Sequence, residues 1–265
     1  MQSTHSLVRG WRIARIVMHT FSGLALAALV LPVCNRWMRL GLIQWWCKRL
    51  LHCFNMRVIT TGTVPDIRTH GTMLVGNHVS WSDIHAINSI IPVRFVAKVE
   101  IKSWPVFGYL VRKCGTIFIN RTRNRDAARV VNIASHALKL NDNLCVFPEG
   151  TTTEGLSVLP FKSSLIQAAV QAEAPIIPMV IRYPLPDGSI NMDAAYAGDT
   201  TLIDSMNTFL HMQQPVIHVH FCTPVASLGK TRQQLAKEIH AKISAQLQAF
   251  AVAPVTTQPS VASQF

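Results

Sequence analysis

Thr72-Met73-Leu74-Val75-Gly76-Asn77-His78-Val79-Ser80-Trp81-Ser82-Asp83-Ile84 runs from a short apolar stretch through a polar turn into a helical pattern. Thr72 to Gly76 reads as a buried strand, because a run this short and apolar is bounded at once by polar residues. Ser80 or Ser82 is placed to cap a helix whose apolar side is Ile84, Ile87 and Ile90. The segment therefore predicts strand, turn and helix in succession, with His78 in the turn and Asp83 near the helix start. On one continuous helix, residues five apart point roughly 140° away from each other. The intervening turn is what lets the two side chains meet.

Working outward, the same alternation repeats. Short apolar or β-branched runs fall at 57–60, 72–76, 93–97, 116–119, 144–147, 176–182 and 215–221. Helical patterns lie between several of them, near 83–90, 103–113, 124–140 and 162–172. Thr231 is a cap for a further helix with Leu235, Ile239, Ile243 and Leu247 on one face. This predicts an α/β domain, a central sheet flanked by helices, with ligands held by loops beyond strand ends. No internal repeat is apparent.

The chemistry is concentrated in that first turn and in a second block, Phe147-Pro148-Glu149-Gly150-Thr151. A neutral histidine takes a proton from an alcohol near neutral pH when a carboxylate fixes its tautomer and stabilises the imidazolium. His78 and Asp83 supply such a pair. His85 beside them lacks the spacing of a zinc site, so no metal is expected. Six cysteines with no Cys-x-x-Cys spacing indicate reduced thiols.

Charge and hydropathy indicate the setting. Lys and Arg number 25 against 13 Asp and Glu, a formal net charge of +12, which favours anionic partners. No acidic residue precedes Asp66, while arginines are interleaved with apolar runs from Arg9 onward. That mixture points to membrane lipids rather than nucleic acid, for which no recognition module is present. Ile16 to Cys34 carries no formally charged side chain and follows Arg9, Arg12 and Arg15, so it is long enough to cross a bilayer core or to lie at its surface. Positive-inside logic places the amino terminus in the cytoplasm and the protein on the cytoplasmic face of the inner membrane. Leu40 to Phe54, with Trp45, Trp46, Lys48 and Arg49, suits an amphipathic interfacial helix or a core-facing one. The expected division is a membrane-anchoring segment over 1–55, a catalytic domain over 56–251 and a disordered tail over 252–265.

Four blocks in order give a resemblance. Asn77-His78 through Asp83, Phe118-Ile119-Asn120-Arg121, Phe147 to Thr151, and Pro175-Ile176-Ile177-Pro178 resemble the motifs of the 1-acylglycerol-3-phosphate acyltransferase family of membrane-bound glycerolipid acyltransferases. The resemblance implies a fatty acyl group transferred from acyl-CoA or acyl carrier protein to the free hydroxyl of a lysophospholipid, with lysophosphatidate as default acceptor and no cofactor. It makes His78 the general base, Asp83 its orienter and Lys98 a charge for the oxyanion. Arg121, Glu149, Gly150, Thr151, Thr152 and Lys162 fall to substrate binding, Arg121 through its forked donors to phosphate. Ser80 and Ser82 read as turn and cap residues, and Trp104, Phe107 and Tyr109 as candidate walls for the acyl chain. One departure bears on the acceptor: Thr152 and Thr153 follow the third motif where phosphatidate-forming members often carry Arg, and Ser163-Ser164 stand where many carry a Gly. A different lysolipid, including an acylated amino-acid lipid, is the alternative acceptor, and a membrane-bound acyl thioesterase the alternative reaction.

Overall fold

The computed structural model describes residues 4–66, 71–120 and 124–252. Seven strands form one mixed sheet: β1 (Arg57–Gly62), β2 (Met73–Gly76), β3 (Arg94–Lys98), β4 (Ile117–Ile119), β5 (Leu144–Val146), β6 (Ile176–Arg182) and β7 (Val216–Phe221). Their spatial order is β1-β7-β6-β2-β5-β3-β4. All neighbours are parallel except β6 and β7. Each predicted strand is present to within a residue or two of its expected ends, because short β-branched runs buried on both faces are what a parallel sheet requires.

Side chains alternate between two cores, as the twofold period of a strand demands. Leu74, Cys145, Ile177, Met179 and Ile181 face one core, shared with α2 (Arg36–Cys53), α3 (Ser82–Ile90) and α7 (Leu202–His211). Met73, Val75, Leu144, Val146 and Val180 face the other, built with α5 (Asn124–Lys139), α6 (Gln167–Ala172) and α8 (Arg232–Val252). The α8 stripe predicted from Leu235 to Leu247 is buried in this second core. Thr231 and Gln234 cap its start reciprocally, hydroxyl accepting from amide in one direction and amide oxygen from backbone in the other.

Two local expectations are corrected. Neither Ser80 nor Ser82 caps α3; Trp81 holds the cap position with no side-chain bond, while Ser82 is drawn inward to Tyr183. The pattern over 103–113 shortens to α4 (Phe107–Lys113), since Pro105 removes an amide donor, and the residues before it form a 3₁₀ turn, Val99–Ser103. Helix α7 opens on a capping box of Thr201 and Asp204.

The amino-terminal helix α1 (Ser6–Ala25) continues through one π turn and one 3₁₀ turn to Val33. It lies against the domain through Arg12, whose guanidinium donates to the carbonyls of Leu210 at 3.3 Å, Met212 at 2.7 Å and Gln213 at 2.7 Å. Its partner α2 ends inside the first core, where Leu50, Leu51, Cys53 and Phe54 are buried beside the sheet residues. The outward side of α1 leaves Leu7, Trp11, Met18 and Phe21 exposed.

Candidate active site

Strands β2 and β5 pair in parallel with Val75 opposite Val146. Continuing that register sets His78 beside Glu149 at the carboxyl ends of the two strands, which is how two blocks far apart in sequence become one site. Glu149 ties them together: Oε1 accepts from the His78 amide at 2.9 Å and Oε2 from the Leu159 amide at 2.9 Å. Burial raises its pKa above the ordinary carboxylate value, opposed by the two amides.

The His78 backbone then turns. Asp83 N donates to the Ser80 carbonyl at 3.1 Å, bringing the Asp83 side chain under the imidazole. His78 Nδ1 meets Asp83 Oδ2 at 2.8 Å. The same oxygen accepts from the amides of Val79 at 2.8 Å and Ser80 at 2.9 Å. The other oxygen accepts from the Tyr183 hydroxyl at 2.5 Å, and Ser82 in turn bonds Tyr183 at 2.7 Å. Asp83 is wholly buried, so four converging donors replace water around it. The imidazole is left with Nδ1 engaged and Nε2 available for proton transfer. The Phe147 ring stacks on the imidazole face, 3.9 Å between centroids and 3° from parallel.

Loops complete the walls. Gly150 turns the chain at φ 78°, a conformation that suits glycine, with its amide bonded to the Phe147 carbonyl. Thr151 is exposed. Thr152 spends its hydroxyl on the Tyr196 carbonyl, and Tyr196 N donates to Val79 O at 2.8 Å. Thr153 N donates to His78 O at 2.8 Å. Gly155 packs against Val79 so closely that a Cβ would come within 3.0 Å of Val79 Cγ2.

Other predicted residues sit farther out. Lys98 ends β3, level with Asn77 by the register through β5 and two strands away, about 10 Å at ordinary strand spacing; its side chain is exposed. Lys162 is exposed too, its amide bonded to Pro148 O. Arg121 lies outside the described residues. Of the three expected acyl-chain walls, only Phe107 lines the apolar cavity that opens between α1, α2, α3, α4 and β3; Leu26, Ile43, Trp46, Phe95 and Leu110 line it as well. Trp104 and Tyr109 do not line it. Phe95 connects the cavity to the site, stacking at 6.1 Å on Phe147, which itself stacks on His78. His85 also faces this cavity; burial lowers its pKa to about 4, so its ring is neutral at physiological pH.

Sequence reading missed Tyr183 and the ring role of Phe147. Tyr183 follows β6 directly and carries a hydroxyl at the end of a wholly buried strand, a signal that the tip has a buried partner.

An acyltransferase family profile matches residues 42–182. The chain belongs to that family. The acyltransferase is 32% identical over 201 residues to the lyso-ornithine lipid O-acyltransferase of Pseudomonas aeruginosa, covering 76% of each chain. It is 36% identical over 177 residues to the 1-acyl-sn-glycerol-3-phosphate acyltransferase of Neisseria meningitidis, covering 66% of this chain and 69% of that one. The crystal structure of the 1-acyl-sn-glycerophosphate acyltransferase of Thermotoga maritima matches it with a TM-score of 0.66 at 19% identity, over 92% of this chain and 100% of that one, which shows a shared fold. The acyltransferase is thus an enzyme of acyl transfer to lysolipids.

Proposed function

We propose that His78 is the general base that takes the proton of a lysolipid hydroxyl as its oxygen attacks the carbonyl of an acyl thioester. The observation that carries this reading is the His78 to Asp83 contact, with every other direction around Asp83 filled by protein donors. Nδ1–H stays on the imidazole, held by Asp83, while Nε2 gains the hydroxyl proton. Collapse of the tetrahedral intermediate breaks the carbon–sulfur bond and the imidazolium returns its proton to the leaving thiolate. The donor is acyl-CoA or acyl carrier protein, and its alkyl chain fits the apolar cavity reached through Phe147 and Phe95. Lys98 lies on the same rim and is a candidate charge for the oxyanion, and Arg121 for the acceptor phosphate.

Lysophosphatidate is the default acceptor, in keeping with the Neisseria relative. A lyso-ornithine acceptor has a specific observation in its favour: Thr152 brings no charge and its hydroxyl is occupied by Tyr196, and the Pseudomonas relative is named for that lipid. Acyl transfer from radiolabelled acyl-CoA and acyl carrier protein, tested on both lysolipids with wild type and His78→Ala, decides. Product on either acceptor with wild type alone supports the base and names the acceptor; free fatty acid released equally with and without acceptor overturns transfer in favour of hydrolysis.

The apolar outward side of α1 supports seating on one membrane leaflet, with α1 lying on the surface. Arg12, buried beneath three carbonyls of the domain, keeps the first half of this helix on the protein. A span that took in the first half of α1 would strip that contact and leave a guanidinium in hydrocarbon.

A further inference from the structure

At the amino ends of β3 and β5, away from His78, a second cavity is lined by Arg36, Arg39, Arg94, Asp142, Cys34 and Cys114. Three guanidinium groups and one carboxylate line it. Arg94 donates to Asp142 at 2.7 Å and Arg36 pairs with the other oxygen of Asp142 at 3.2 Å, so the single negative charge is shared and the cavity keeps an excess of positive charge. Arg39 donates to the Leu31 carbonyl at 3.2 Å and has no carboxylate partner among the described residues. Arg36 also donates to the carbonyls of Leu140 at 3.0 Å and of Asn141, and Arg94 Nε to Gly115 O at 2.7 Å, so Arg39 is the guanidinium with donors to offer, and the surplus positive charge around it suits an oxyanion.

The surroundings indicate what carries that oxyanion. Val33 and Trp37, chain neighbours of the cavity-lining Cys34 and Arg36, are 82% and 54% exposed. Trp37 lies under the Arg36 guanidinium at 5.5 Å. A cationic pocket whose rim is apolar and aromatic matches an amphiphile, with its phosphate inward and its chains outward.

We propose that the cavity of Arg36, Arg39 and Arg94 binds the phosphate of a membrane lipid headgroup, at a site separate from the catalytic centre. It is independent of the acceptor chosen at His78. Free phosphate shares the chemistry, and the apolar rim selects the lipid.

Cys34 lines the cavity and is partly exposed, whereas Cys222 is partly exposed and does not line it. The full chain in neutral detergent micelles is alkylated with N-ethylmaleimide and each cysteine followed by peptide mass spectrometry. The micelles carry phosphatidylglycerol or no lipid, and a third arm adds inorganic phosphate. With phosphatidylglycerol at about ten times its dissociation constant, Cys34 modification slows about tenfold in wild type by mass action, with Cys222 unchanged. Arg39→Gln abolishes the slowing and Arg39→Lys retains part of it; Arg39 is an exposed residue with one part-buried backbone contact, and an unshifted thermal unfolding midpoint checks that both variants fold. Equal slowing in Arg39→Gln, or none in wild type, overturns the site. Equal slowing by inorganic phosphate overturns the lipid as its occupant.

Discussion

Tyr183 donates its hydroxyl to Asp83 across 2.5 Å, joining the end of β6 to the first turn of α3 on the side of the carboxylate opposite His78. Tyr183→Phe removes this donor and leaves Asp83 Oδ1 buried without a partner. A hydrogen bond to a charged group is worth about 1.5–3 kcal/mol. The expected result is thermal unfolding at lower temperature, with kcat reduced about tenfold and KM for both substrates little changed. An unaltered kcat would mean that His78 is oriented without this support.

Asp83→Asn keeps the size of the side chain and withdraws the charge facing His78. Loss of the orienting carboxylate in a histidine-based site costs on the order of 10⁴ in kcat. Steady-state kinetics with retained acyl-thioester binding is the check; a variant within a few-fold of wild type would remove Asp83 from the reaction.

Leu110→Trp places a larger side chain in the apolar cavity beside Phe95 and Phe107. Donors with long acyl chains are then expected to lose kcat/KM by about tenfold or more relative to short ones, since each excluded methylene forfeits roughly 0.8 kcal/mol. A chain-length series of donors measures the change, and an unshifted profile places the acyl chain elsewhere.

Trp11→Glu together with Phe21→Glu puts charge on the exposed side of α1, where the native side chains are 62% and 66% exposed. Each loses roughly 1.5–3 kcal/mol of available apolar burial, so flotation with anionic vesicles shows binding weakened at least tenfold. The activity on detergent-dispersed lysolipid is unchanged.

Acid stability has its own source. His218 and His220 share the Thr61 hydroxyl at 2.7 Å and 2.9 Å, beside Arg182 and under Phe250. Burial first, then Arg182 and His220, lowers the His218 pKa to about 4. The unfolded chain takes up this proton near pH 6.5 and the folded chain only near 4, so stability present above 6.5 is lost as pH falls through that window. The loss from His218 is on the order of 3 kcal/mol. Denaturant melts of wild type and His218→Gln between pH 7 and 4 are expected to show a shallower decline for the variant.

The strand order could not be read from the chain, yet each strand could, because buried parallel strands announce themselves by short β-branched runs. The site was legible where its parts are local: His78 and Asp83 belong to one turn, and Glu149 to one loop. What joins them is not local. Tyr183 comes from just past the end of a different strand, the Phe147 ring acts through stacking, and the cap expected of Ser82 gave way to a buried hydroxyl contact. Thr152 was legible as a departure, but its bond to Tyr196 depends on a loop brought in from farther along the chain.

Arg12 fastens α1 to the carbonyls that close α7, and this fixes an elevation. With α1 seated on a leaflet, His78 stands at a constant height above the lipid surface, set by the fold and independent of any linker. Substrate then arrives by lateral diffusion within the bilayer plane. The turnover of such an enzyme follows the mole fraction of lysolipid in the surface, and diluting the vesicles at constant composition leaves the rate per bound enzyme unaltered.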